Sequence, residues 1–363
     1  MNNAITSWRD GPILAVDLET TNVDPHRDRI VTATAVTIRP RPGERPEVTT
    51  RTWLANPGVD IPADATAIHG ITTEQARREG QPAADVAAEV TAWLGEVWTA
   101  TTPLCAFHTP FDLTMLNAEL HRYHGRSLPL SGPVIDPAVI DRHLDPHRSG
   151  TRHLCDVCRH YQVPMGKAHD AEQDALAAAR LAWWLAKVEP ARVGSLAPHK
   201  LHSQQARWFR EQELAYADQL DRRIRLLEAK GGNAERIERL ISHATYARAT
   251  APHWPLLPES TSGTQPTRRR IPPRPGGPTN SHASWTLDQE TALRDEWLAA
   301  DPSAVTEAIR ANIAVRYGRS PVAIRSRLLR LRCDPELPGH ACDDDRAAHL
   351  KRIYDAEYSR NQH

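Results

Sequence analysis

Residues 12–21 read PILAVDLETT, an apolar run that ends in an acidic pair. The apolar part is typical of a buried strand, and side chains two residues apart in a strand point to the same face. Asp17 and Glu19 are therefore expected to project together. Two adjacent carboxylates repel each other unless a cation lies between them, and their oxygens suit Mg²⁺ or Mn²⁺. This stretch predicts a buried strand that presents two metal-binding carboxylates.

The segments that follow alternate between strand and helix patterns. β-Branched residues are frequent at 31–40 and at 48–57, which predicts two further strands. Beyond them, the spacing of apolar residues predicts a helix at 73–98, a short strand at 103–107 and a final helix at 170–188. Three strands followed by alternating helices and strands predict an α/β domain over 8–190, with one mixed sheet covered by helices.

Two more acidic residues and a histidine complete a candidate site. Asp112 lies where the strand at 103–107 gives way to a helix, Asp174 lies near the start of the helix at 170–188, and His169 is expected on the loop before it. Two metal ions about 3.5–4 Å apart can clamp a phosphodiester and stabilise the attacking and leaving oxygens. A histidine with a pKa near neutrality can accept a proton from water. We therefore predict two Mg²⁺ ions, for which Mn²⁺ can substitute, with His169 as general base and with these ligands: Asp17, Glu19, Asp112 and Asp174.

Three segments, ILAVDLETT, FHTPFD and HDAEQD, carry a family resemblance. Their order and local spacing resemble the DEDDh (DnaQ-like) 3′→5′ exonucleases, the family of the proofreading epsilon subunit of bacterial DNA polymerase III. The resemblance covers residues 12–188 and includes LANPGVDIPADATAIHGIT at 54–72. It implies a ribonuclease H-like mixed sheet flanked by helices and the release of nucleoside monophosphates from a 3′ end.

The resemblance also implies substrate contacts. In family members the residues just after the first acidic pair, here Leu18, Thr20 and Thr21, contact the terminal nucleotide. In the second motif, His108 stands where the family usually has an asparagine, and both side chains can donate hydrogen bonds. We expect His108 and Phe111 to contact the substrate as well.

The second half of the chain is predicted to be mainly helical. Helical spacing on either side of the turn KGGN predicts a helical hairpin extension over 197–258. Residues 259–282 are rich in Pro, Gly, Ser and Thr, a composition typical of a flexible linker. A small all-α domain is predicted at 283–335, and the tail at 336–363 has apolar spacing compatible with one more helix.

The segment at 284–332 resembles the small Myb-like helix-turn-helix modules of bacterial proteins, with a tryptophan near its start and GRSPVAIRSRL near its end. Ser320 is a suitable N-cap for the third helix, and Pro321 suits its first turn. The predicted core of the three helices comprises Trp285, Leu293 and Trp297, then Val305, Ile309 and Ile313, then Ile324, Leu328 and Leu331.

Basic residues dominate the other face of this module. Seven arginines and no acidic residue occur between 308 and 333. Arginine can grip phosphates or read guanine edges when a recognition helix enters the major groove. We therefore predict DNA contacts by Arg319, Arg325, Ser326 and Arg330. Because arginine outnumbers lysine 40 to 5 in the chain, a solvated basic face is the alternative interpretation.

Bulk composition adds limits on location and partners. The 363 residues include 45 basic and 45 acidic side chains, so no overall field attracts the chain to nucleic acid. The sequence has no run of about 20 apolar residues that would span a membrane, and no membrane partner is expected. Five cysteines without an apolar leader predict a reducing location, cytoplasmic and nucleoid-associated.

Together these patterns predict a metal-dependent 3′→5′ exonuclease that acts on DNA 3′ ends in repair or proofreading, with a polymerase or repair protein as partner. DNA is favoured over RNA because a helix-turn-helix enters a groove that A-form RNA makes too narrow. Two alternatives stay open. One is an exoribonuclease in RNA maturation or decay, and the other is a DNA-binding adaptor whose nuclease domain is inactive.

Overall fold

The computed structural model describes residues 7–148, 150–166, 170–259, 285, 287–303 and 305–360. These residues fall into two compact units, divided between positions 267 and 268. Within the described ranges, no helix is both long enough and apolar enough to cross a membrane.

A six-stranded sheet forms the centre of the first unit. Its strands are β1 (Ile13–Thr20), β2 (Ile30–Arg39), β3 (Glu47–Asn56), β4 (Gln81–Pro82), β5 (Leu104–Cys105) and β6 (Val134–Ile135), and their order across the sheet is β4-β3-β2-β1-β5-β6. β1, β2 and β3 are antiparallel neighbours, whereas β5 runs parallel to β1 and β6 runs parallel to β5. The carboxyl ends of β1, β5 and β6 therefore meet at one edge of the sheet.

Helices cover both faces of this sheet. In chain order they are α1 (Ala63–His69), α2 (Thr73–Glu79), α3 (Ala83–Val97), α4 (Thr109–His124), α5 (Pro137–Leu144), α6 (Leu154–His160) and α7 (Ala171–Val188). On one face the alanine-rich side of α7 packs with Ala15 and Val36, and small side chains allow the helix to approach the strands closely. On the other face, residues of α3 and α4 pack with Leu14 and Val16. The predicted mixed α/β fold class, with one sheet covered by helices, is confirmed.

The helix predicted at 73–98 is interrupted in the structure. α2 ends at Gly80, and the two-residue strand β4 pairs with the end of β3 before α3 begins. A Cβ atom on Gly80 would lie 2.6 Å from the backbone nitrogen of Asn56, so only glycine permits this close approach to β3. Pro82 then removes a donor that a continuing helix would need.

A long helical hairpin follows the α/β region. After a short π-helix at Pro190–Gly194 come α8 (Pro198–Ala229) and α9 (Ala234–Thr250), which pack together through Ala217, Leu220, Ala244 and Ala247. The turn between them lies at the predicted KGGN segment, with Gly231 in the left-handed region. Trp254 and Leu256 then pack against the core beneath α3 and α4.

The second unit contains α10 (Leu287–Leu298), α11 (Thr306–Arg316), α12 (Pro321–Arg330) and α13 (Asp344–Arg360). Its core includes Leu293, Trp297, Ile313, Ile324 and Leu328, all at predicted core positions. Val305 departs from the prediction. It is the N-cap residue of α11 and is 71% exposed, because a side chain at that position precedes the packed face of the helix.

Candidate active site

Two carboxylates on β1 form the centre of the candidate site. Asp17 and Glu19 alternate along β1 with the buried Leu18, as the two-residue repeat of a strand requires. One carboxylate oxygen from each, together with one from Asp174, lies within 4.8 Å of the other two. Among the described residues, this is the one group of three or more acidic, thiol or imidazole side chains compact enough to hold a metal ion.

The third and fourth carboxylates come from the first turns of two helices. Asp174 lies in the first turn of α7 and is 9% exposed, and Asp112 lies in the first turn of α4 and is 5% exposed. The N-terminus of a helix favours negative charge, which partly offsets the cost of burying these two side chains. Three segments that are far apart in the sequence thus deliver the four predicted ligands to one place.

The four carboxylates line a single cleft of about 490 Å³. Its lining residues are Asp17, Leu18, Glu19, Val23, Phe107, His108, Phe111, Asp112 and Asp174. Acidic and apolar side chains therefore line the same cleft. That combination suits a ligand with a metal-bound anionic group next to a flat, less polar part.

Burial and mutual repulsion raise the pKa values of these carboxyls. Burial is the main cause for Asp17, whose pKa lies well above its ordinary value, and the charges of Asp112, Glu19 and Asp174 raise it further. Burial, followed by the charges of Asp174 and Asp170, raises the pKa of Glu19 to about 8. Protons thus relieve the repulsion in the metal-free protein. A divalent cation bound by the same oxygens would displace those protons, so this acidic donor set fits Mg²⁺ or Mn²⁺.

Residues 14–182 match the family model described as Exonuclease, RNase T. After the family that they match, residues 14–182 are called the exonuclease domain. The match includes the four carboxylates that line the cleft, which supports a nuclease activity.

Solved exonuclease I structures are similar to half of the chain. Exonuclease I from Methylocaldum szegediense is 20% identical over 50% of this chain and 41% of its own, with a TM-score of 0.41. A zinc-bound complex of E. coli exonuclease I with single-stranded DNA is 19% identical over 50% of this chain and 42% of its own, with a TM-score of 0.42. The chain thus spans about two fifths of the length of these proteins. No curated protein sequence matches the chain significantly.

Asp136 is a residue of the exonuclease domain that the sequence analysis missed. Its carboxylate is fully buried and accepts the backbone N–H groups of His108 at 3.1 Å, Thr109 at 3.0 Å and Ala138 at 2.9 Å. Burial raises its pKa to about 6 although these hydrogen bonds lower it. Asp136 thereby connects the end of β6 to the start of α4 by hydrogen bonds. Thr109, the first residue of α4, lies three residues before Asp112 in the sequence. Its only sequence signal was an acid followed by proline at the start of a helix, which indicates an N-cap.

The predicted substrate residues occupy two kinds of position. Leu18, His108 and Phe111 line the cleft of the exonuclease domain. His108 has a φ of 64°, in the left-handed region that asparagine and histidine tolerate better than most residues. The hydroxyl of Thr20 donates to the carbonyl of Asn22, and the buried Thr21 accepts the N–H of Arg29, so both hydroxyls bond within the β1–β2 loop.

Predicted general base His169 lies outside the described residues, between Gly166 and Asp170. Asp170, the N-cap residue of α7, contributes to the raised pKa of Glu19. Asp170, the residue that follows His169, therefore lies close to the carboxylate cluster. The role of His169 stays a prediction.

The predicted DNA-binding residues of the second unit differ in their surroundings. Arg319 is only 5% exposed, and its guanidinium carbon lies 4.7 Å from the ring centroid of Trp285. Arg325 is half-buried, with its guanidinium carbon 3.8 Å from the ring centroid of Tyr354 in α13. Ser326 and Arg330 are exposed on α12. DNA binding by these residues stays a prediction, and only the last two are openly accessible.

Proposed function

We propose that this protein is a Mg²⁺-dependent 3′→5′ exonuclease that removes nucleoside monophosphates from DNA 3′ ends. The observation that carries the proposal is the convergence of Asp17, Glu19, Asp112 and Asp174 in one cleft within the exonuclease domain. Bound there, two divalent ions would stabilise the attacking and leaving oxygens of the phosphodiester.

The chain's own residues supply the other requirements of the reaction. Leu18, His108 and Phe111 would orient the terminal nucleotide in the cleft. His169, as general base, would accept the proton of the attacking water. A His169→Ala variant should then lose most of the rate while it binds Mn²⁺ as tightly as the wild type does. Retention of the full rate would remove His169 from the mechanism.

DNA is the proposed substrate because the second unit resembles a Myb-like DNA-binding module. Such a module would raise the concentration of the exonuclease domain near duplex DNA. We place the activity in repair or proofreading in a nucleoid-associated, cytoplasmic setting, with a polymerase or repair protein as partner. Exonuclease I with single-stranded DNA bound is among the similar solved structures, which is consistent with this substrate class.

Matched oligonucleotides test the proposal. DNA and RNA of one sequence, each labelled at the 5′ end, are incubated with the protein and Mg²⁺, and products are resolved over time. A ladder that shortens from the 3′ end on DNA supports the proposal, and it should vanish with EDTA and in the Glu19→Gln variant. Asp10→Asn is the matched control, because this acidic residue is exposed and lies outside the cleft.

Each other result identifies a specific alternative. A ladder on RNA alone would make the protein an exoribonuclease of RNA maturation or decay. Binding to DNA without cleavage of either polymer would favour the inactive adaptor.

A further inference from the structure

The helix α8 covers the outer edge of the sheet with side chains rather than with another strand. β6 is the last strand on that side, so its outward backbone groups need partners. The N–H of Val134 donates to Nδ1 of His202 at 3.1 Å, and Nε2 of Gln205 donates to the carbonyl of Val134 at 2.9 Å. Oε1 of Gln205 accepts the N–H of Asp136 at 2.7 Å.

Gln205 connects the helical hairpin to the metal-ligand cluster through Asp136. The side chain of Gln205 is fully buried and bonds to the backbone on both sides of the last residue of β6. Asp136 in turn accepts the N–H groups of His108 and Thr109, which begin α4. Asp112 lies in the first turn of that helix. The side-chain amide of Gln205 is thus linked through Asp136 to the start of α4, the helix that carries the predicted ligand Asp112.

We propose that Gln205 is a positioning residue for the metal site, which it supports by fixing Asp136 and through it the start of α4 and Asp112. This inference rests on the proposed metal-dependent function. Loss of a group that bonds directly to a metal ligand typically costs about 10–100-fold in metal affinity or activity. Gln205 acts one step further out, so the lower end of that range is expected. The glutamine matches its task because one side chain both donates and accepts.

Another glutamine on the same helix provides the control. Nε2 of Gln212 donates to the carbonyl of Val139 at 2.9 Å, so it also joins α8 to the chain that follows β6. Val139 lies inside α5. Its N–H contributes to the environment of Asp136, but Gln212 contacts the carbonyl of Val139 and bonds to neither Asp136 nor the start of α4 among the described residues. If both glutamines only stabilise the fold, replacing either one should have the same effect on Mn²⁺ affinity.

The test compares Gln205→Met with Gln212→Met in the full chain. Methionine keeps an unbranched shape of similar size but cannot replace either hydrogen bond. Mn²⁺ affinity is measured by calorimetry without nucleic acid, melting temperature by circular dichroism, and the Mg²⁺ concentration for half-maximal cleavage with a DNA oligonucleotide. We expect Gln205→Met to weaken Mn²⁺ binding about tenfold or more and to raise the Mg²⁺ midpoint. Gln212→Met should change neither, although both variants lower the melting temperature.

Equal Mn²⁺ affinities for wild type and Gln205→Met would overturn the inference, whatever the melting temperatures. If Gln205→Met does not fold, Gln205→Asn takes its place, since it keeps the amide but is one methylene too short to reach both partners. A folded Gln205→Asn with wild-type Mn²⁺ affinity would equally contradict it. Absence of cleavage by the wild type would count against the proposed function alone, because Mn²⁺ binding is measured without turnover.

Discussion

The exonuclease domain and the second unit both concentrate charge of one sign, but their folds treat that charge differently. The carboxylates Asp17, Glu19 and Asp174 come within 4.8 Å of one another, and burial with mutual repulsion raises the pKa values of Asp17 and Glu19. In the second unit, Arg319 and Arg325 lie over the aromatic rings of Trp285 and Tyr354.

This difference decides how far a charge pattern in a sequence can be read as a binding site. Clustered carboxylates raise the energy of the folded state, and a cation from outside relieves that cost. Arginine can pack against an aromatic ring and keep its charge at little cost, so a run of arginines is compatible with a purely internal role. The acidic cluster therefore implies a ligand more strongly than the basic run does.

The largest effect should follow removal of one carboxylate from the cluster. Asp17→Asn keeps the shape of the side chain but removes a charge at the centre of the site. We expect the cleavage rate to fall by more than about a hundredfold, beyond the usual cost of losing an outer partner at a metal site. The metal-free protein should melt at a higher temperature than the wild type, because the raised pKa of Asp17 means that its ionised form destabilises the fold.

Asp10→Asn serves as the control in both measurements, since Asp10 is exposed and outside the cleft. A lower melting temperature for Asp17→Asn in EDTA would contradict the view that the cluster is strained without metal.

The pH dependence of stability should show the same repulsion. The pKa of Glu19 is about 8 in the folded protein, above its ordinary value of 4.5, so the folded state holds the proton more tightly than the unfolded state. The contribution of protonated Glu19 to the free energy of unfolding is therefore lost as the pH rises from about 4.5 through 8. In EDTA, the wild type should lose stability over this range relative to Glu19→Gln, as measured by urea denaturation at each pH. Saturating Mg²⁺ should reduce the difference, and parallel curves in EDTA would refute the expectation.

A smaller effect on stability is expected from Arg319. Because this side chain is buried over Trp285, Arg319→Ala should destabilise the second unit by about 1–2 kcal/mol. Hydrogen exchange of α10–α12 in the full chain would measure the change. Arg316→Ala is the matched control: Arg316 is exposed and pairs with Glu296, and such surface pairs contribute about 0–1 kcal/mol. Equal protection from hydrogen exchange in the two variants would contradict a structural role for Arg319 and would favour a DNA contact instead.

The smallest effect is expected for DNA affinity. Arg330 is exposed on α12, so Arg330→Ala should weaken duplex binding only a few-fold and lower the salt dependence of binding by about one phosphate contact. Fluorescence anisotropy over a range of salt concentrations would measure both quantities. Unchanged binding and salt slope in Arg330→Ala would favour the solvated basic face over a DNA-binding surface.

Local sequence patterns predicted much of the fold and the acidic cluster, but not the contacts that organise it. Asp17 and Glu19 could be predicted because strand periodicity alone puts them on one side. Asp136 could not be distinguished from an ordinary N-cap, since its bonds to His108 and Thr109 depend on the pairing of β5 with β6. Gln205 carries no local signal, because its partner is 69 residues away in the sequence. The break at Gly80 likewise arises from contact with β3 rather than from the helical pattern.

The pairing of α8 with β6 also determines how fragments of this protein should behave. An open sheet edge offers its N–H and C=O groups to any extended chain, including another copy. A fragment that ends at residue 190, the predicted end of the α/β domain, would lack both His202 and Gln205 and would expose the outer side of β6. We expect that fragment to self-associate at concentrations where one that ends at residue 258 stays monomeric. The helical hairpin would thus prevent aggregation by covering the edge of β6.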